Sequence, residues 1–127
     1  MEPPIPASAD YVVTELDLAT ALTSGDVPVL ATPRVIAWCE AQTMSAVKDY
    51  ISEEETTVGM RVRVDHVNPT GLGAKVRVSA LLTRVDGRRI TFQVSAFEIR
   101  DSDEPLQIAM GQVTRGIVFR KRSVGSV

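Results

Sequence analysis

Cysteine and histidine are nearly missing from this 127-residue chain, which holds one of each, Cys39 and His66. A single cysteine excludes an intrachain disulfide, and so few soft donors leave little material for a zinc site, so no metal and no other cofactor is expected. Charge of one sign is also scarce: the net charge is −2 and the pI is near 5.4. Such a chain has no long-range field to draw a nucleic acid, and no nucleic-acid partner is expected. No apolar run approaches the ~20 residues that a membrane span needs, so no membrane partner is expected either. The opening MEPPIPASAD carries prolines and acids where a secretory leader carries basic and then apolar residues, and the location expected by default is the cytoplasm. The one concentrated basic stretch, Arg120-Lys121-Arg122, reads as a solvated C-terminal end.

What is present is an ordinary globular composition, 44% hydrophobic and 24% charged, at a length that suits one domain with a core of its own. Residues 1–10 are expected to be an irregular proline-rich arm, 11–120 the single domain, and 121–127 a polar tail. YVVTELDL (11–18) has the β-branched content of a first strand. Residues 19–31 mix small residues with Gly25 and Pro28 and read as a long connection able to cover a site.

Thr32 followed by Pro33 is a helix-start pattern, with Thr32 as N-cap. Val35, Ile36, Cys39, Ala46, Val47 and Tyr50 then recur at helical spacing, which predicts a helix from about Pro33 to Ile51. Its other side is also poor in charge, so it is expected to be buried nearly all round. From Met60 the period changes to two, with Val62, Val64 and His66 on one face and Arg61, Arg63 and Asp65 on the other. Segments 74–85 and 88–99 flank Asp86-Gly87, a strong hairpin signal, and 106–120 is a last strand. Consecutive strands beside one long helix predict an α+β fold, an antiparallel sheet wrapped around a central helix in the hotdog arrangement.

Three residues break the apolar patterns. Glu40 has Ile36, Ala37, Thr43 and Met44 as its helical neighbours, so its carboxylate must be paired, protonated or facing a pocket. Two readings stay open for it, a structural hydrogen bond at the helix edge or a working carboxylate. His66 shares the face of Val62 and Val64 that should look at the helix, where it is either a satisfied core histidine or the acid–base partner of a carboxylate. Thr32 lies eight residues before Glu40, about 12 Å along a regular helix. The two therefore meet at one reaction centre only if the first turn is irregular or a second subunit contributes one of them.

The stretches VLATPRVIAWCEA, TTVGMRVRVDHVNPTGLG, VDGRRITFQVSAFE and GQVTRGIVF, in this order, resemble the fluoroacetyl-CoA thioesterase-like branch of the hotdog-fold thioesterases. The resemblance runs from about Tyr11 to Phe119 and implies hydrolysis of an acyl-CoA thioester by a homodimer with sites at its interface. It implies Glu40 as nucleophile or base, His66 as proton-transfer partner and Thr32 as an orienting group. It further implies a substrate-binding role for Gly59, near the thioester carbonyl, and for Arg115. Arg34, Arg88 and Arg89 are candidates for the CoA phosphates, although ordinary surface roles suit them better. Two departures stand out. The family's G-x-H-x-R pattern reads Gly111-Gln112-Val113-Thr114-Arg115, and residues 19–31 lack the aromatic residues of the fluoroacetyl-selective lid. A different short acyl group is therefore expected. The alternative is a non-catalytic hotdog protein that binds acyl-CoA as sensor or carrier.

Overall fold

The computed structural model describes residues 1–121; the rest of the expected polar tail lies outside the described residues. Five strands form one antiparallel sheet: β1 (Ile5–Val12), β2 (Glu55–His66), β3 (Lys75–Asp86), β4 (Arg89–Ile99) and β5 (Leu106–Phe119). Their order across the sheet is β1-β3-β4-β5-β2, which leaves β1 and β2 as the edges. The helix α1 (Thr32–Val47) lies against the inner face, and a short 3-10 turn (Lys48–Tyr50) finishes it. This is the α+β arrangement expected from the run of strands beside one helix. No helix among the described residues is long and apolar enough to cross a membrane.

The inner face is built by alternation. Val76, Val78, Ala80 and Leu82 of β3 pack beside Ile90, Phe92, Val94 and Ala96 of β4, and Val113 of β5 continues the layer. The helix closes it with Val35, Cys39, Ala46 and Val47. Trp38 stacks on Tyr11 at 4.5 Å between ring centroids, and Gln42 Nε2 donates to the Tyr11 hydroxyl at 2.9 Å. These contacts tie the helix to the β1 side of the sheet.

Four expectations need correction. The first strand runs over Ile5–Val12, so most of the supposed irregular arm is sheet. Pro6 is tolerated there because β1 is an edge strand. Residues 13–18 leave the sheet because the Thr14 amide and hydroxyl both donate to Asp17 Oδ2, at 2.8 and 2.9 Å, which winds Glu15–Asp17 into a 3-10 turn. The helix is also not buried all round: Ala37, Ala41, Met44 and Ser45 face outward in the single chain. Finally, β2 starts at Glu55 rather than Met60, and the hairpin turn is Gly87-Arg88, one residue later than expected, with Gly87 at φ +61°.

The long connection is pinned by backbone bonds. Ala19 N donates to Val29 O at 2.8 Å, and Leu30 N donates to Thr70 O at 2.8 Å. Leu30 and Ala31 are buried, so the loop delivers the chain to the helix start along a fixed path.

Glycine sets how closely β2 approaches β5. A Cβ at Gly111 would stand 2.0 Å from the Arg63 carbonyl oxygen and 2.7 Å from Val64 Cα, both rigid backbone. A Cβ at Gly116 would meet only the flexible Met60 thioether, at 2.9 Å. Gly111→Ala should therefore cost about 1–3 kcal/mol as the strands are forced apart. Gly116→Ala should cost clearly less, because methionine can move aside. Equal losses in a chemical denaturation series would show that the β2–β5 spacing is not set by Gly111.

Candidate active site

The first turn of α1 starts from the chain path, not from a side-chain cap. Ala31 occupies the N-cap position, and its carbonyl accepts from Arg34 N at 3.0 Å and Val35 N at 3.1 Å. Its own amide donates to Asp17 O at 2.9 Å. Thr32 is therefore the first helical residue and not the cap that the sequence pattern predicts. Its hydroxyl is free to turn sideways, and Oγ1 lies 2.7 Å from His66 Nδ1. A cap residue would have spent that oxygen on the helix amides.

His66 ends β2 and points to the inner face, as the alternation from Val62 predicts. Burial holds its imidazole below the usual histidine range, partly offset by a hydrogen bond to the Asn68 backbone. The ring is therefore neutral near pH 7. Its Nε2 is buried without a partner among the described residues. A cleft of about 330 Å³ opens beside this pair, lined by Ser24, Asp26, Val27, Val29, Asn68 and Pro69 among others. The 19–31 connection thus forms a wall of the pocket, as its length suggests.

Glu40 lies farther along the helix in a different polar cluster. Its Oε2 accepts from Arg115 Nη1 at 3.1 Å, and no described residue bonds its Oε1. Arg115 is only 4% exposed. Its Nε donates to Thr57 Oγ1 at 2.9 Å and its Nη2 donates to the Thr57 carbonyl at 3.0 Å. Burial pulls the guanidinium below its usual pKa range, and the Glu40 carboxylate pushes back. Arg115 is thus engaged inside the protein, where it holds Glu40.

Gly59 closes this cluster. A Cβ on it would lie 2.7 Å from Glu40 Oε2 and 3.6 Å from Arg115 Nη1, so only glycine lets the carboxylate sit against β2. The residue that sequence reasoning missed is Thr57. It lies diagonally from Arg115, pairing with Ile117, and the available signal was a hydroxyl two residues before Gly59 on the same strand face.

Within one chain the two clusters do not meet. Gly59 and Arg115 form one cross-strand pair, and His66 and Ala109 form another. Between them on the inner face stand the apolar rows Val62–Val113–Phe92 and Val64–Gly111–Val94. Seven residues of strand separate Gly59 from His66, roughly 20 Å. His66 therefore looks at the helix, as expected, but not at Glu40 of the same subunit.

Cys39, Arg34 and Arg88 are inert or already paired. Cys39 is buried beside Glu40, and burial first and the carboxylate second push its thiol up to about 12. Arg34 pairs with Asp17 at 3.1 Å. Arg88 pairs with Glu55 at 2.9 Å and lies over the Phe119 ring.

The family model described as fluoroacetyl-CoA-specific thioesterase matches residues 13–121 of this chain. No curated protein matches the chain significantly. Among solved structures, a threonine-to-serine mutant of the fluoroacetyl-CoA thioesterase FlK with acetyl-CoA is 23% identical at a TM-score of 0.89, covering 99% of this chain and 96% of that one. A phenylalanine-to-alanine mutant of the same enzyme, with fluoroacetate and CoA, is 26% identical at a TM-score of 0.84 and covers 97% of this chain and 99% of that one. A hot-dog-like protein from Thermanaerovibrio acidaminovorans is 19% identical at a TM-score of 0.83, covering 97% of this chain and 87% of that one. The fold is the hotdog fold, and the chain belongs to the fluoroacetyl-CoA-specific thioesterase family, whose members are thioester hydrolases.

Proposed function

We propose that this protein hydrolyses a short acyl-CoA thioester to the free acid and CoA, with Glu40 as the working carboxylate. The observation that carries the reading is the state of Glu40: Oε2 is held by buried Arg115 and packed against Gly59, while Oε1 is bonded by no described residue. A carboxylate fixed by one oxygen presents the other in a set direction, which suits attack on a carbonyl carbon or activation of a water. A thiolate leaves readily, so the leaving group needs little help. His66, neutral near pH 7 and hydrogen-bonded through Nδ1 to Thr32, is suited to move a proton during the reaction.

We propose further that two copies join along β2 and that the partner subunit's His66 and Thr32 complete the site around Glu40. The support is physical. β2 is an edge strand with unpaired backbone groups, and Val58, Met60 and Val62 on it are 42%, 53% and 39% exposed. Met44 on the outward side of α1 is a further exposed apolar side chain. Antiparallel pairing of two β2 strands about their middle, near Val62 and Arg63, brings the Gly59 end of one copy beside the His66 end of the other. The twofold axis thereby cancels the separation that one chain imposes. The acyl group then rests in the cleft beside Thr32. That cleft is lined by Ser24, Asp26 and Val27 and by no aromatic side chain, so an acyl group other than fluoroacetyl fits the composition better.

Glu40→Gln keeps an oxygen for Arg115 Nη1 but removes the basic or nucleophilic oxygen pair. Thiol release from a panel of short acyl-CoAs is expected to fall about 10²–10⁴-fold, the worth of general base catalysis, while the cooperative melt persists. Gly59→Ala is expected to displace the carboxylate and lower kcat in the same assay. Normal turnover by Glu40→Gln would reduce Glu40 to a structural partner of Arg115. Tight binding of every acyl-CoA without turnover by the wild type would replace the enzyme with a carrier.

His66 offers a separate test, because it is the only histidine and gives one resolvable imidazole signal. Its titration midpoint should fall below about 6.5, the ordinary histidine value. With the folded pKa depressed, the unfolded chain binds more protons on the acid side. The stability tied to burying the neutral ring is therefore complete above about pH 6.5 and declines as the pH falls toward the folded pKa. A midpoint at or above the ordinary value would show a solvated ring and remove His66 from a buried site.

A further inference from the structure

The outer face of the sheet, opposite the helix, carries a cluster that none of this chemistry uses. Arg61 of β2 pairs with Thr114 of β5, Thr114 with Thr91 of β4, and Thr91 with Arg84 of β3. These four residues form one row straight across four strands. Their sequence neighbours Val113 and Phe92 are buried against the helix side, so alternation points the row outward. The row has a long cation at each end and two small hydroxyls in the middle. It therefore makes a trough of about 440 Å³, completed by Met60, Asp86 and Arg89.

Two features separate this trough from a casual surface patch. First, a β-bulge stands immediately before each flanking arginine, between Gly59 and Arg61 in β2 and between Leu82 and Arg84 in β3. Bulges raise local twist and re-aim the side chains that follow them, and they concentrate beside functional sites. Secondly, the side chains of Arg61, Arg84 and Arg89 make no hydrogen bond or ion pair with any described residue, although acids elsewhere on the surface hold Arg34, Arg77, Arg88 and Arg100. Three arginines against one aspartate leave two positive charges in the trough, on a chain whose net charge is −2.

We propose that this trough binds the phosphate groups of a nucleotide ligand, with Arg61 and Arg84 gripping from the two ends. Thr91 and Thr114 offer hydroxyl donors from its floor. Guanidinium forks match phosphate oxygens in geometry and charge, and threonine hydroxyls suit the remaining oxygens. The ligand is assigned to the phosphate-bearing end of CoA, and this assignment rests on the thioesterase reading above. The bulge puts Gly59 on the inner face against Glu40, while Met60 and Arg61 turn to the outer face, so a CoA molecule serving both has to pass around the end of the sheet at the nearby β3–β4 hairpin. The trough thus lies directly behind the strand that carries the reaction centre.

Calorimetric titration with adenosine 3′,5′-bisphosphate tests the trough without any turnover. Arg61→Gln and Arg84→Gln should each weaken binding about tenfold, as expected for loss of one charge-assisted hydrogen bond. Arg63→Gln, on the same strand and face but outside the trough, should bind as the wild type does. Glu40→Gln should also bind normally, so failure of the catalytic reading leaves this result intact. No binding by the wild type, or equal weakening by Arg63→Gln, overturns the site in favour of diffuse surface charge. For the assignment to CoA, Arg61→Gln and Arg84→Gln should raise KM for an acyl-CoA about tenfold. They should raise it much less for the same acyl group on pantetheine, which lacks the nucleotide. Bisphosphate binding with an unchanged acyl-CoA KM overturns the assignment to CoA and gives the trough to a free phosphate ligand.

Discussion

A buried arginine on the last strand decides where this helix can sit and what it can carry. Arg115 has almost no contact with water, and a cation in that position must find charge and hydrogen-bond partners inside the protein. Thr57 on β2 supplies two oxygens and Glu40 on α1 supplies the third. The cluster therefore ties helix, edge strand and last strand together at one point. The helix makes few other contacts with β2 and β5, since Trp38, Gln42 and the valines bind it to the opposite side of the sheet. Removing Glu40 outright would leave a buried cation short of its charge partner. The question of why an apolar helix carries a carboxylate thus has a physical answer independent of catalysis. Catalysis is proposed for the oxygen that Arg115 does not use.

Much of this was legible in the sequence because periodicity reports which faces are buried. The switch from helical spacing to alternation located α1 and four of the strands, and interruptions of those periods exposed Glu40 and His66. The same logic misjudged Thr32. A threonine before a proline reads as a cap, but the buried Ala31 backbone already fills that role, and only tertiary structure shows His66 within reach. The first strand was misplaced for a related reason. Thr14 and Asp17 lock a turn through side-chain bonds that compete with strand formation, while an edge position tolerates the proline at residue 6. Arg115 was visible as a charge in an alternating strand, but whether it faced a substrate or a carboxylate depended on pairing register, which one strand's sequence does not specify.

The exposed length of β2 has a meaning beyond its own chain. An edge strand with valine and methionine in view invites uncontrolled pairing unless it is covered, and β2 bears no proline to blunt it. Self-pairing across a twofold axis is an economical cover, because one strand then protects another of identical sequence. The same axis would join a Glu40 cluster to a Thr32–His66 pair twice in every dimer. On this view, folding stability and site assembly place the same demand on the middle of β2, which is why the charged residues there, Arg61, Arg63 and Asp65, are kept to the outer face.

The departure at Val113 fits this division of labour. Its row, Val62–Val113–Phe92, lies between the two polar clusters of one chain, and Val113 is fully buried. A histidine there would need a partner, and its row neighbours Val62 and Phe92 offer none. With valine in place the region between the clusters is apolar, and no chain of polar side chains joins Glu40 to His66 within a subunit. Proton traffic between them, if the chemistry is as proposed, has to cross the subunit boundary. In the proposed dimer, valine at this position would make the partner subunit more necessary to the proposed reaction: a position that could have linked the two halves of the site internally belongs here to the core.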